Sequence, residues 1–208
     1  MTKVNSSRVP HFVALAACAG ALSMTLTACG GSDTNTSSQD TSSVTDLFMP
    51  PTGKTPSACP SSAPADGGPA DWSLPGTSGS VAVTGSTDTA APLVAVQGPF
   101  RVAKTQVHTL RAGDGPIVAD SATVAVCYLG VNGRDGTVFD SSYERGAPVE
   151  FGLGNVVPGF QKAIAGQRVG STVAVAMIPA DGYPEGQPAA GIQPGDTLVF
   201  AIKILKAR

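Results

Sequence analysis

The feature that most constrains this 208-residue chain is a single change of rhythm. Arg101–Leu110 alternates, with Val102, Lys104, Gln106, His108 and Leu110 on one parity and Ala103, Thr105, Val107 and Thr109 on the other. Thr123–Val131 alternates in the same way, and Thr172–Ile178 and Thr197–Leu205 are runs rich in Val, Ala, Ile and Phe. A period of two places successive side chains on opposite faces of a strand. Only between Val156 and Ala165 does the pattern turn helical. Pro158 suits a first helical turn, Phe160, Ala163 and Ile164 share one face, and Gly166 follows as a stop. Several strands and one short helix predict an α+β domain, an antiparallel sheet with the helix packed across it, over residues 98–208.

Upstream the composition changes. Lys3 and Arg8 precede Phe12–Leu26, an uncharged stretch too short to span a bilayer as a helix but suited to a secretory leader. It ends in Leu26-Thr27-Ala28-Cys29, which resembles a bacterial lipobox. Residues 1–28 are therefore read as a lipoprotein signal peptide and Cys29 as the site of lipid attachment; a plain secreted protein is the alternative. Stable anchoring needs two or more acyl chains. Residues 29–70 are rich in Ser, Thr, Gly, Pro and Ala, and residues 30–96 hold six Asp, no Glu and one Lys. Such a segment buries too little apolar surface to offset its ordering entropy, so residues 29–70 are read as a disordered, flexible tether. Residues 71–97 contain Trp72, Leu74, Val81-Ala82-Val83 and Leu93-Val94-Ala95-Val96, and are read as an ordered arm or added strands.

Several function classes are excluded. The net charge is −2 with no basic run, which argues against nucleic acid as a partner. Beyond the leader the only histidine is His108, within an alternating strand, so a Ser-His-Asp triad has no base. Cys59, Cys127 and His108 are too scattered for zinc, and Asp135, Asp140 and Asp181 lack the dense spacing of a calcium loop. Gly152-x-Gly154 lacks the third glycine of a dinucleotide loop, and no Gly-Lys-Ser/Thr loop exists. The sequence implies no metal and no cofactor.

Asp140 is then the odd residue, a carboxylate directly after Phe139 in a stretch otherwise apolar and punctuated by glycine. A lone buried carboxylate is costly, so it requires a partner. Around it Tyr128-x-Gly130, Val138-Phe139-Asp140-Ser141-Ser142, Arg145, Val156-Val157-Pro158-Gly159-Phe160, Gly166-Gln167-x-Val169-Gly170, Ile178-Pro179, Gly182-Tyr183 and Thr197-Leu198-Val199-Phe200 follow in order. This order resembles the FKBP-type, macrolide-binding peptidyl-prolyl cis-trans isomerases, and the resemblance covers about Thr105 to Leu205. With the leader, the chain is similar to the secreted actinobacterial lipoproteins of that family.

The resemblance implies a five- to six-stranded antiparallel half-barrel wrapped on one short helix, with the site between them. It implies catalytic roles for Tyr128, Phe139, Asp140, Phe160, Tyr183 and Phe200. It implies substrate contacts from Arg145, Val149, Val156, Val157 and Ile192. Asp140 is expected to orient Tyr128 and Arg145, and Val157 and Tyr183 to hydrogen-bond a bound peptide. The implied partners are proline-containing unfolded or exported polypeptides, macrolide inhibitors and, through the lipid, the extracytoplasmic face of the cell membrane. The alternative within the same fold is a membrane-tethered binding or chaperone module with little turnover. The chain departs from the family pattern at Phe160, where Trp is usual, at Val149, where an aromatic is common, in a short turn between Gly154 and Val156, and at Pro184 after Tyr183.

Cysteine counting adds one expectation. With Cys18 in the leader and Cys29 acylated, Cys59 and Cys127 remain in an oxidising compartment, where pairing is favoured over two free thiols. Cys127 alternates away from Tyr128, so it is expected to face off the pocket and to meet an N-terminal arm there.

Overall fold

The computed structural model describes residues 58–64 and 68–208. The expected leader, Cys29 and most of the expected tether lie outside the described residues.

The strands are β1 (Trp72–Pro75), β2 (Ser78–Thr84), β3 (Leu93–Arg101), β4 (Gln106–Arg111), β5 (Thr123–Asn132), β6 (Val138–Ser141), β7 (Val149–Gly152), β8 (Thr172–Met177) and β9 (Leu198–Ala207). Among the described residues the one α-helix, α1, spans Pro158–Ile164. All pairings are antiparallel. The main sheet is six-stranded in the order β4-β8-β9-β5-β6, with β7 also pairing β5. β5 is long enough to hold β7 along its first half and β6 along its second, on the same edge.

A seven-residue helix is too short to persist alone, so its packing must hold it. Gly159, Phe160, Ala163 and Ile164 are buried against the main sheet, among Val126, Val175, Met177, Ile202 and Ile204. The approach is close: a Cβ on Gly159 would lie 2.8 Å from the Met177 sulfur. Glycine after Pro158 is what lets the first helical turn settle on β8.

The other face of β8 and β9 is also covered. β1, β2 and β3 form a separate three-stranded sheet in that order. Its Val81, Val83 and Phe100 pack with Val102, Ala174, Ala176, Val199 and Ala201. This explains why β8 reads Thr-Val-Ala-Val-Ala-Met without a polar residue after Thr172. Val173, Val175 and Met177 join the helix-side cluster while Ala174 and Ala176 meet the second sheet, so both faces are dry. Small alanines permit the two sheets to approach.

Two boundaries differ from the sequence reading. The added strands do not end at residue 97, because β3 runs on to Arg101 to bury Phe100. The stretch Arg101–Leu110 is correspondingly not one strand. It breaks at residues 102–105, where Thr105 Oγ1 donates to Asp181 Oδ2 at 2.5 Å and accepts from the Ile178 amide at 3.2 Å. The tether read to residue 70 also ends sooner. Cys59 is buried in a cluster with Cys127, Tyr143 and Leu205, and the Ala91 amide donates to Ser62 O at 2.8 Å. Cys59 and Cys127 form a disulfide, on the side of β5 facing away from the Tyr128 ring.

Candidate active site

Between α1, β5 and β9 lies a hollow of about 390 Å³. Its floor is aromatic. Phe160 meets Tyr128 at 5.8 Å, Phe151 at 5.7 Å and Phe200 at 5.4 Å between ring centroids, each near edge-to-face. Phe139 meets Phe200 edge-on at 5.4 Å. Such pairs contribute about 0.5–1.5 kcal/mol beyond area burial, so the rings hold one another in place. Gly130 makes room for them. A Cβ there would lie 2.7 Å from the Phe139 ring and 2.8 Å from the Phe200 ring, which is why Tyr128 is followed two residues on by glycine on the same face of β5.

Val156 and Val157 line the hollow at the entrance to α1, with Asn155 beside them, and half-buried Tyr183 closes another side. The Val157 carbonyl accepts from the Phe160 and Gln161 amides as the helix starts. As N-cap, Val157 keeps its own amide outside the helical ladder.

Among the described residues the only acid lining the hollow is Asp140, and it has its partners. The Tyr128 hydroxyl donates to Asp140 Oδ2. Arg145 Nη1 donates to Asp140 Oδ1 at 2.5 Å, and Arg145 Nη2 donates to Tyr128 Oη at 3.0 Å. The Arg145 guanidinium carbon also stands 5.7 Å from the Tyr128 ring centroid. These contacts close a triangle in which each group is bonded to the other two. Burial, and then the bond to Asp140, push the Tyr128 hydroxyl up to about 12. Burial also pushes the Asp140 carboxyl up, but the Tyr128 hydroxyl and the Arg145 guanidinium outweigh it and hold it below its ordinary value. At neutral pH Tyr128 is therefore a neutral donor and Asp140 a carboxylate. Neither changes its protonation state near pH 7, and the Tyr128 proton is already held by Asp140, so the triangle suits fixing the rim better than acid–base chemistry.

The structure brings Tyr128, Phe139, Asp140, Val156, Val157, Phe160, Tyr183 and Phe200 to the hollow's wall. Arg145 reaches it only through Asp140 and Tyr128. Val149 and Ile192 do not line it. Val149 is half-buried against the core cluster. Ile192 is 2% exposed in that cluster, because paired backbone bonds between Gln187 and Ile192 fold the loop back. Sequence reasoning missed two lining residues, Asn155 in the turn before α1 and Phe151. Phe151 is the larger of the two omissions. It stands two residues after Val149 on β7, opposite Val124, and its longer side chain reaches the hollow. The period-two spacing from Val149 was the available signal.

The chain matches the family model of the FKBP-type peptidyl-prolyl cis-trans isomerase over residues 115–205. It is 34% identical over 119 residues to an FK506-binding protein of Streptomyces anulatus, covering 55% of this chain and 94% of that one. It is 38% identical over 94 residues to a probable FKBP-type peptidyl-prolyl cis-trans isomerase of Haemophilus influenzae, covering 45% of this chain and 39% of that one. It is 39% identical over 101 residues to the FKBP-type 22 kDa peptidyl-prolyl cis-trans isomerase of Escherichia coli, covering 49% of this chain and 48% of that one. The matched region thus spans less than half the length of these last two relatives. On the motif order, the site and a match that takes in nearly all of the Streptomyces protein, the chain belongs to the FKBP-type peptidyl-prolyl cis-trans isomerase family.

Proposed function

We propose that this chain is a peptidyl-prolyl cis-trans isomerase that accelerates Xaa-Pro rotation in exported polypeptides, held by a lipid on Cys29 at the extracytoplasmic face of the membrane. The observation that carries the catalytic part is the aromatic hollow with its one tied carboxylate. An Xaa-Pro bond rotates over a barrier of about 18–20 kcal/mol because twisting breaks amide resonance. Proline is the residue for which cis is accessible, yet exchange takes tens to hundreds of seconds unaided.

A twisted amide separates less charge than a planar one. A dry apolar wall therefore favours the twisted form relative to the planar one, with no nucleophile. The proline ring rests on Phe160, between Tyr128, Phe151 and Phe200. The Val157 amide and the Tyr183 hydroxyl hold the flanking peptide in a turn. Asp140, locked by Arg145, keeps the Tyr128 ring upright at the wall. The same aromatic cup suits the apolar ring of a macrolide inhibitor. The leader and Leu26-Thr27-Ala28-Cys29 support the location.

Two experiments test the reading. A chromogenic Xaa-Pro peptide assay on the full chain should show acceleration, with preference for apolar residues before proline. A folded protein without acceleration leaves the binding-module alternative. Cell fractionation of Cys29→Ala should move the protein out of the membrane fraction; full retention there would remove the anchor.

A further inference from the structure

The triangle of Tyr128, Asp140 and Arg145 is drawn from two segments, β5 and the residues around 140–146. The pairing of β5 with β6 ends at Leu129 opposite Ser141, so the turn that follows needs another tie. Ser142 supplies part of it. It is fully buried, its Oγ accepts from the Tyr128 amide at 2.8 Å, and both its Oγ and its amide donate to the Tyr128 carbonyl, at 3.3 and 3.0 Å. One serine thus closes both backbone groups of Tyr128.

Cys59 supplies the rest from outside the matched family region. Its sulfur is bonded to Cys127, the residue before Tyr128. Its amide donates to Gly146 O at 3.2 Å, the residue after Arg145. Its sulfur lies 3.5 Å from Ser142 Oγ. Cys59 and Cys127 are 3% and 1% exposed, packed with Tyr143. A single residue is therefore tied to the backbone on either side of the triangle.

Resting on the isomerase reading above, we propose that Cys59 is a positioning residue: through its disulfide and its bond to Gly146 it clamps the 142–146 turn against β5, and so sets Arg145 on Asp140 and Tyr128. The clamp can be opened by a dithiol reductant. Two electrons and two protons pass to the disulfide, leaving the Cys59 and Cys127 thiols, while the dithiol closes to its own disulfide.

The test is a double-mutant cycle on the full chain in detergent, read by a protease-free isomerisation assay, by thermal melting and by the Arg145 guanidinium N–H signal in nuclear magnetic resonance. Cys59→Ser should lower kcat/KM by about fivefold or more, within the range of coupling between contacting groups. In an Arg145→Ala background the same change should lower kcat/KM less than about twofold, while the fall in melting temperature persists in both. A merely structural disulfide would give equal losses in the two backgrounds and overturn the proposal, as would an unchanged kcat/KM in Cys59→Ser. Should the variant not fold, wild-type protein reduced by dithiothreitol replaces it, with reoxidation expected to restore activity. A wild-type protein with no acceleration would refute the isomerase reading. The clamp would then be judged by the Arg145 signal, expected sharp when oxidised and broadened or lost when the bond is cut; an unaltered signal overturns it.

Discussion

Replacing Asp140 by Asn isolates the charge at the rim, because the volume is kept and an acceptor remains for the Tyr128 hydroxyl. The ion pair itself is cheap to lose. The Asp140 and Arg145 side chains are 40% and 49% exposed, and such pairs are worth about 0–1 kcal/mol. The Tyr128 bond changes from a charged to a neutral acceptor, which costs about 1 kcal/mol more. A stability loss of about 1–2 kcal/mol follows, and for a domain of this size that is a fall of about 2–8 °C in Tm. Activity should fall further. With Arg145 released, the Tyr128 ring loses its fixed seat, and a tenfold drop in kcat/KM corresponds to about 1.4 kcal/mol of barrier. Isomerisation at 10 °C and calorimetric melting of the same samples measure both. A folded Asp140→Asn protein with full activity would refute the argument that the triangle positions the wall. So would a loss of activity that only tracks the fraction unfolded.

The raised Tyr128 value and the lowered Asp140 value set a pH window. Asp140 contributes stability above its ordinary 3.8, lost as pH falls through its lower folded value, whereas Tyr128 contributes below its ordinary 10.0, lost as pH rises through about 12. Stability from this triangle should therefore be flat between about pH 5 and pH 9, and absorbance titration should find two tyrosines ionising near 12, Tyr128 and the buried Tyr143, of which only Tyr128 moves down in Asp140→Asn. Phe160→Trp should tighten macrolide binding and raise turnover, since the hollow has room for a larger ring; a fall in Tm of several degrees would mean instead that α1 is overpacked against β8.

Much of this was legible in the sequence for identifiable reasons. Alternation locates β5, continuous apolar runs locate β8 and β9 because both of their faces are buried, and Pro158 with Phe160, Ala163 and Ile164 locates α1. Counting thiols paired Cys59 with Cys127. What stayed hidden depends on side-chain reach, on how a loop folds back and on ties between distant segments. Val149 and Phe151 share one face of β7, and only side-chain length decides that Phe151 enters the hollow. Ile192 has the residue type of a pocket wall, yet the backbone pair with Gln187 turns it into the core. The tie of Cys59 to Ser142 spans 83 residues, and no local pattern encodes it.

The activity proposed for the hollow is turnover of proline bonds and not merely their holding. Exchange spectroscopy of a Leu-Pro peptide tests it directly, because the cis and trans forms give separate signals that interconvert over tens to hundreds of seconds alone. With the full chain at micromolar concentration, exchange cross-peaks between the two forms should appear within a second and vanish on addition of a macrolide. Peptide binding seen as shifts of the Tyr128 and Phe160 ring signals, with no exchange between the forms, would contradict the account.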